Sequence, residues 1–329
     1  MKLKIMKRLM GACAIAVVAA VALPASPALA QNYPTKPVRM IIAFAPGGPT
    51  DVIARPLGEK LTQALGQPFV VDYKPGANAV IGADHVLKSP HDGYTLLTFT
   101  SGFTINPSTQ KSLPFDTMKD FASVSPIARS DIILFVNPSL PVRNVKELIA
   151  HAKANPGKLN FASSGTGGSP HLAGELFKLL TGTEMTHVPY KGAGPATMDV
   201  VAGTADLAFL AAPPAVPMIK AGKLRLIGVA SLKRAASFPD MPTIDEQGIP
   251  KFEVMSFYGF SAAADTPKPI IAKLNATMQK VLAMDDLKQS FNNSGLEPWY
   301  LKPEELHAWL GEEVVKWQKV TKAIKYVPE

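Results

Sequence analysis

Ile41-Ile42-Ala43-Phe44-Ala45-Pro46-Gly47-Gly48-Pro49-Thr50-Asp51 is an apolar run that breaks into a glycine-rich turn. A helical pattern follows over residues 52–65, with Ile53, Leu57, Leu61 and Leu65 at four-residue spacing. The same order returns later in the chain. Leu159-Asn160-Phe161-Ala162 leads into Ser163-Ser164-Gly165-Thr166-Gly167-Gly168-Ser169-Pro170-His171. There Ser169 stands where a helix cap belongs and Pro170 where a first helical residue belongs. The chain thus carries the sequence strand, glycine-rich turn, helix start twice.

Around the first copy, residues 69–73 and 94–100 read as strands and residues 80–88 as a helix, a βαβαβ order that predicts a parallel, doubly wound sheet. Pro56 predicts a kink or a delayed start in the first helix. A second set begins near residue 130, with strands at 132–136, 159–162, 185–189, 205–210 and 224–230. Asn144 with Glu147 predicts a capping box ahead of a helix through residue 154. Residues 252–262 read as a long returning strand. Helices over 269–284 and 303–322 carry the apolar stripes Ile270, Leu274, Met278 and Leu306, Leu310, Val314, Trp317, and are expected to pack back on the first lobe. The fold class is α/β. The expected division is 31–131 plus 256–329 for one lobe and 132–255 for the other.

Residues 1–30 have the pattern of a cleavable secretory signal: Lys2, Lys4, Lys7 and Arg8, then apolar residues 11–23, then Ala28-Leu29-Ala30 before Gln31. The sole cysteine, Cys13, lies inside it, so the exported chain can use neither disulfides nor a thiol nucleophile. The net charge of +8 includes the four signal cations, and no Lys/Arg run interleaves with aromatics, which argues against nucleic acid as partner.

The two turns suit an anion. Amides at a helix start point outward, the helix dipole adds partial positive charge, and glycine lets backbone approach a ligand. Facing each other, the turns would hold a dicarboxylate. Other chemistries lack their signatures. Pro170 interrupts the dinucleotide fingerprint, and there is neither a phosphate-binding Gly-Lys-Ser/Thr nor a Gly-x-Ser-x-Gly elbow. The six histidines show no metal-ligand spacing, so neither metal nor cofactor is expected. Asp51 reads either as a first-turn cap or as a ligand contact, and His171 as a carboxylate contact or a cap of its own helix. Asp206 reads as a turn residue or a ligand acceptor.

Four segments together resemble the Bug family, the periplasmic receptors of tripartite tricarboxylate transporters. They are residues 44–51, Lys74-Pro75-Gly76-Ala77 through Ile81-Gly82-Ala83, Asp92-Gly93-Tyr94-Thr95-Leu96-Leu97, and Val188-Pro189-Tyr190-Lys191-Gly192. The resemblance implies a periplasmic Venus-flytrap protein of two α/β lobes. It implies a monomer that is not an enzyme and that delivers a small carboxylate (a di- or tricarboxylate, an amino acid or an aromatic acid) to membrane transporter subunits. On that basis Phe44 walls the cleft, Gly48, Pro49, Thr50 and Asp51 form the first loop, and Ser164, Gly165, Thr166, Ser169 and His171 form the second. Ser101 and Asp206 are further cleft candidates. Asn78 departs from the family's glycine-rich turn and adds a polar group near the cleft mouth. Two alternatives remain open at this stage: a sensory receptor for a two-component system, and a secreted hydrolase, which would need a nucleophile–base pair.

Overall fold

A computed structural model describes residues 32–328; the signal segment expected at residues 1–30 lies outside them. The first apolar run forms β1 (Val38–Ile42), flanked in parallel by β2 (Phe69–Tyr73) and β3 (Thr95–Thr100). The connecting helices are α1 (Pro49–Leu65) and α2 (Val80–Leu87), so the βαβαβ unit is present as read. Helix α1 starts three residues earlier than its apolar period shows, with Gly48 as N-cap and Pro49 at the first position. It runs on through Pro56, so the start is not delayed.

After α3 (Gly102–Thr109) comes β4, and here the structure differs from the sequence reading. Instead of a short strand at 132–136, β4 is one 16-residue strand, Phe121–Val136. Its first part pairs antiparallel with β9 (Met255–Ala263), ending at Asp131↔Met255; its last part, from Ile132, pairs with β7 (Leu207–Ala211) and β8 (Arg225–Val229). Register shifts between Ser123 and Ser125 and between Pro126 and Ala128 absorb the proline. Proline and the polar residues around it had hidden this half of the strand.

The second copy builds β5 (Asn160–Ser163), parallel to both β6 (Thr186–Pro189) and β7, with helices α4 (Val145–Ala154), α5 (Ser169–Thr181), α6 (Ala193–Ala202) and the short α7 (Val216–Lys220). The two lobes are therefore two sheets joined through β4, in the order β2-β1-β3-β9-β4-β7-β5-β6. The cap of α4 forms as its sequence predicts: Asn144 Oδ1 accepts from the Glu147 amide at 2.8 Å, while the Glu147 carboxylate accepts from the Arg143 amide at 2.7 Å. Asn144→Ala should cost about 1 kcal/mol in a urea melt.

The chain closes with α8 (Lys268–Leu282), α9 (Asp285–Asn293), the two-residue β10 (Glu297–Pro298) and α10 (Pro303–Ala323). Only part of this returns to the first lobe as expected. Leu306 and Leu310 of α10 join Phe99 and Phe257, but Trp317 is buried with Phe177 and Phe209 of the second lobe. Length explains it: 21 residues at 1.5 Å each span roughly 30 Å, more than one lobe offers. Among the described residues, no helix is long and apolar enough to cross a membrane.

Candidate functional site

The parallel strands β1, β3, β5 and β7 all direct their carboxyl ends at one cleft, where ligands of open α/β sheets sit. A pocket occupies it, with about 470 Å³ of non-atom space when the part open to solvent is counted. Phe44, Gly48, Pro49 and Thr50 line it from the β1–α1 loop, and Ser164, Gly168, Ser169 and Pro170 from the β5–α5 loop. The N-termini of α1 and α5 thus meet in one space. The first amides of a helix have no acceptor within it, so both helices present donors and partial positive charge there. Thr50 Oγ1, also on the lining, is buried and without a hydrogen-bond partner.

The inner end carries a chain of hydroxyls. Ser101 Oγ lies 2.8 Å from Ser169 Oγ, which lies 3.2 Å from Ser256 Oγ; Ser256 in turn hydrogen-bonds Tyr258. Four hydroxyls bonded head to tail spend three protons among themselves and leave one to donate.

The loops also touch across the cleft. The Ala45 amide donates to the Lys191 carbonyl at 2.9 Å. Gly194 sits so close to the first loop that a Cβ built on it would fall 2.9 Å from the carbonyl carbon and oxygen of Gly47 and 3.0 Å from the oxygen of Pro46. Asn78, left-handed at φ 47°, donates through Nδ2 to Asn106 Oδ1 at 2.8 Å, and Asn106 Nδ2 donates back to the Asn78 carbonyl at 2.9 Å.

Phe44, Gly48, Pro49, Thr50, Asn78, Ser101, Ser164 and Ser169 are therefore brought together as the sequence suggested. Gly165 and Thr166 stand at the outer mouth instead. Three candidates are placed elsewhere. The Asp51 carboxylate is buried and accepts from the Gly47 amide and the Tyr73 hydroxyl, so it staples the first loop and does not line the pocket. His171 accepts from the Gly167 amide at Nδ1 (2.9 Å) and stacks on His187 with 3.7 Å between ring centres, supporting the second loop from behind. Asp206 lies at the amino end of β7, accepting from the Asn160 amide at 2.7 Å, a strand length (roughly 13 Å) from the cleft.

His187 Nε2 lies 2.6 Å from Ser163 Oγ, a nucleophile–base contact of the kind a hydrolase needs. Ser163 is fully buried, however, and its hydroxyl is spent on Gly165, donating to its oxygen at 3.1 Å and accepting from its amide at 3.2 Å. The pair builds the loop. Burial holds the His187 imidazole down at about 3, with the Lys178 charge acting in the same direction. Glu175 is held down at about 2: burial alone would raise it, but the His171 ring 3.7 Å away and the Lys178 ammonium, which donates to it at 2.8 Å, outweigh that.

Residues the sequence did not single out also line the pocket: Thr100, Gly102, Ala193, Ala211, Ser256 and Tyr258. Ala193 follows directly on Tyr190-Lys191-Gly192, a segment already conspicuous, and could have been found from it. Ser256 and Tyr258 gave no signal, because β9 is brought to the cleft by long-range antiparallel pairing with β3 and β4.

Two α/β lobes around a cleft floored by helix N-termini define a solute-binding protein of the periplasmic type. The sequence pattern of the tripartite tricarboxylate transporter family receptor matches residues 53–326, and the chain belongs to that family. It is 35% identical over 300 residues to the protein BugT of Bordetella pertussis, covering 91% of this chain and 92% of that one. Among solved structures it is similar to Rpa4515 of R. palustris with adipate (TM-score 0.88, 35% identity, 90% of this chain and 100% of that chain). It is likewise similar to the periplasmic binding protein BugD (TM-score 0.87, 33% identity, 90% and 100%). These relatives are receptors, and the chain is a receptor and not an enzyme.

Proposed function

We propose that the chain is exported to the periplasm, holds the carboxylate of a small organic acid between the N-termini of α1 and α5, and delivers the acid as a monomer to the membrane subunits of a tripartite tricarboxylate transporter. One observation carries the reading: two helix starts from separate lobes converge on one pocket beside an unsatisfied buried hydroxyl, Thr50 Oγ1. Membership of the receptor family supports the transporter as partner, and the adipate in a relative at 35% identity supports an organic acid as ligand.

The lobes are residues 31–131 with 256–329, and residues 132–255. The strand partners of β4 change at that boundary, which suits a hinge. A ligand touching both lobes favours the closed arrangement through contacts made only there. An organic acid at a hundred times its Kd should stabilise the protein by about 2.7 kcal/mol, read as a rise in melting temperature. A broad panel of carboxylates that leaves the melting temperature unchanged overturns the reading.

A further inference from the structure

We infer that the inner pocket selects an acid with one carboxylate and an uncharged body, and that Asn78 is the residue that enforces this. The inference rests on the carboxylate reading above and names the ligand class for the same site. No residue lining the inner pocket carries a charge: its polar groups are backbone amides, hydroxyls and the Asn78 carboxamide, set among Phe44, Pro49, Pro170 and Ala211. Each helix N-terminus is worth about half a positive charge, so the two together compensate about one carboxylate. A second carboxylate inside would be buried without compensation. An ammonium fares no better, since no acid lines the pocket and Asp51, next to Thr50 in the first loop, is turned onto Gly47 and Tyr73.

A cation does stand just outside. A second, outer cavity contains Lys191 and Gln110 and shares Phe44, Asn78 and Ser164 with the inner one. These three residues form the partition. Asn78 closes it from the first lobe: its carboxamide is fixed by Asn106, and its oxygen lies against the second loop, 3.3 Å from where a Cβ on Gly168 would stand. A diacid that pairs its far carboxylate with Lys191 has to reach from the inner cavity into the outer one, across the boundary that Phe44 and Ser164 share with Asn78. Glycine there would open the path without backbone strain, because the position is left-handed already.

The test is calorimetry with matched pairs, butyrate against succinate and benzoate against terephthalate, on the wild-type protein and on Asn78→Gly. In the wild type each monoacid should bind at least about tenfold tighter than its diacid, because one compensating charge is available. Asn78→Gly should improve terephthalate at least about tenfold, and adding Lys191→Ala should remove that gain. Diacids binding the wild type as tightly as monoacids would overturn the inference while leaving the carboxylate reading intact. Terephthalate affinity unchanged by Asn78→Gly would overturn the role of Asn78. If no carboxylate binds at all, the proposed function itself fails.

Discussion

Gly194→Val lowers affinity for the acid by about a hundredfold while the melting temperature of the unliganded protein stays level or rises. The loss follows from what Gly194 faces. It is the second residue of α6 in the second lobe, and a Cβ there would stand 2.9 Å from the backbone of Gly47 in the first. Those atoms belong to a loop pinned within the first lobe by Asp51, so they resist displacement. Valine can be accommodated only by parting the lobes. Overpacking of this kind costs about 1–3 kcal/mol, and contact with backbone places valine at the upper end, about two decades in Kd. In an open form the same side chain meets solvent, and a helix prefers valine to glycine by a few tenths of a kcal/mol. Calorimetry and thermal melts separate the two effects. Unchanged affinity in Gly194→Val would mean that the contact of Gly194 with Pro46 and Gly47 is not needed to hold ligand.

Acid weakens the fold through the groups behind the second loop. His187 titrates near 3 in the folded protein, below the usual 6.5, because burial disfavours its charged form. The unfolded chain therefore binds more protons than the folded one between those values. The stability contributed is fully present above pH 6.5 and is lost as pH falls toward 3. Glu175, held near 2 by His171 and Lys178, adds a loss of the same sign below its usual 4.5. Allowing for partial exposure of the ring, His187 alone is worth roughly 3 kcal/mol. Urea melts between pH 7 and pH 4 should show this decline, and His187→Phe, which keeps a neutral ring against Phe161 and His171, should flatten it. A slope as steep in His187→Phe as in the wild type would locate the acid lability elsewhere.

Both loop–helix units were legible in the sequence because glycine, proline and the four-residue apolar period mark them locally. So was the parallel βαβαβ core, whose strands are short and apolar. What the sequence concealed depends on long-range pairing. Helix α3 reads Gly-Phe-Thr-Ile-Asn-Pro-Ser-Thr, without a helical period and with Pro107 inside, yet it forms because Phe103 and Ile105 are buried by the cores on either side. The first half of β4 was masked by Pro126, which a bulge accommodates. In the site, Asp51 and His171 were recognised as belonging to the loops, but only the fold shows that both face away from the cleft and brace it. Asp206 reads as a turn residue or a ligand acceptor at a strand start, and the parallel pairing of β5 with β7 puts that strand start at the end away from the cleft.

The central claim is that one carboxylate is held between two helix starts. A crystal structure with the tightest-binding monocarboxylate tests it most directly. The account predicts carboxylate oxygens within about 3.2 Å of first-turn donors of both α1 and α5, directly or through one water. A ligand whose carboxylate points at the outer cavity and Lys191, with its body against the helix starts, would contradict it.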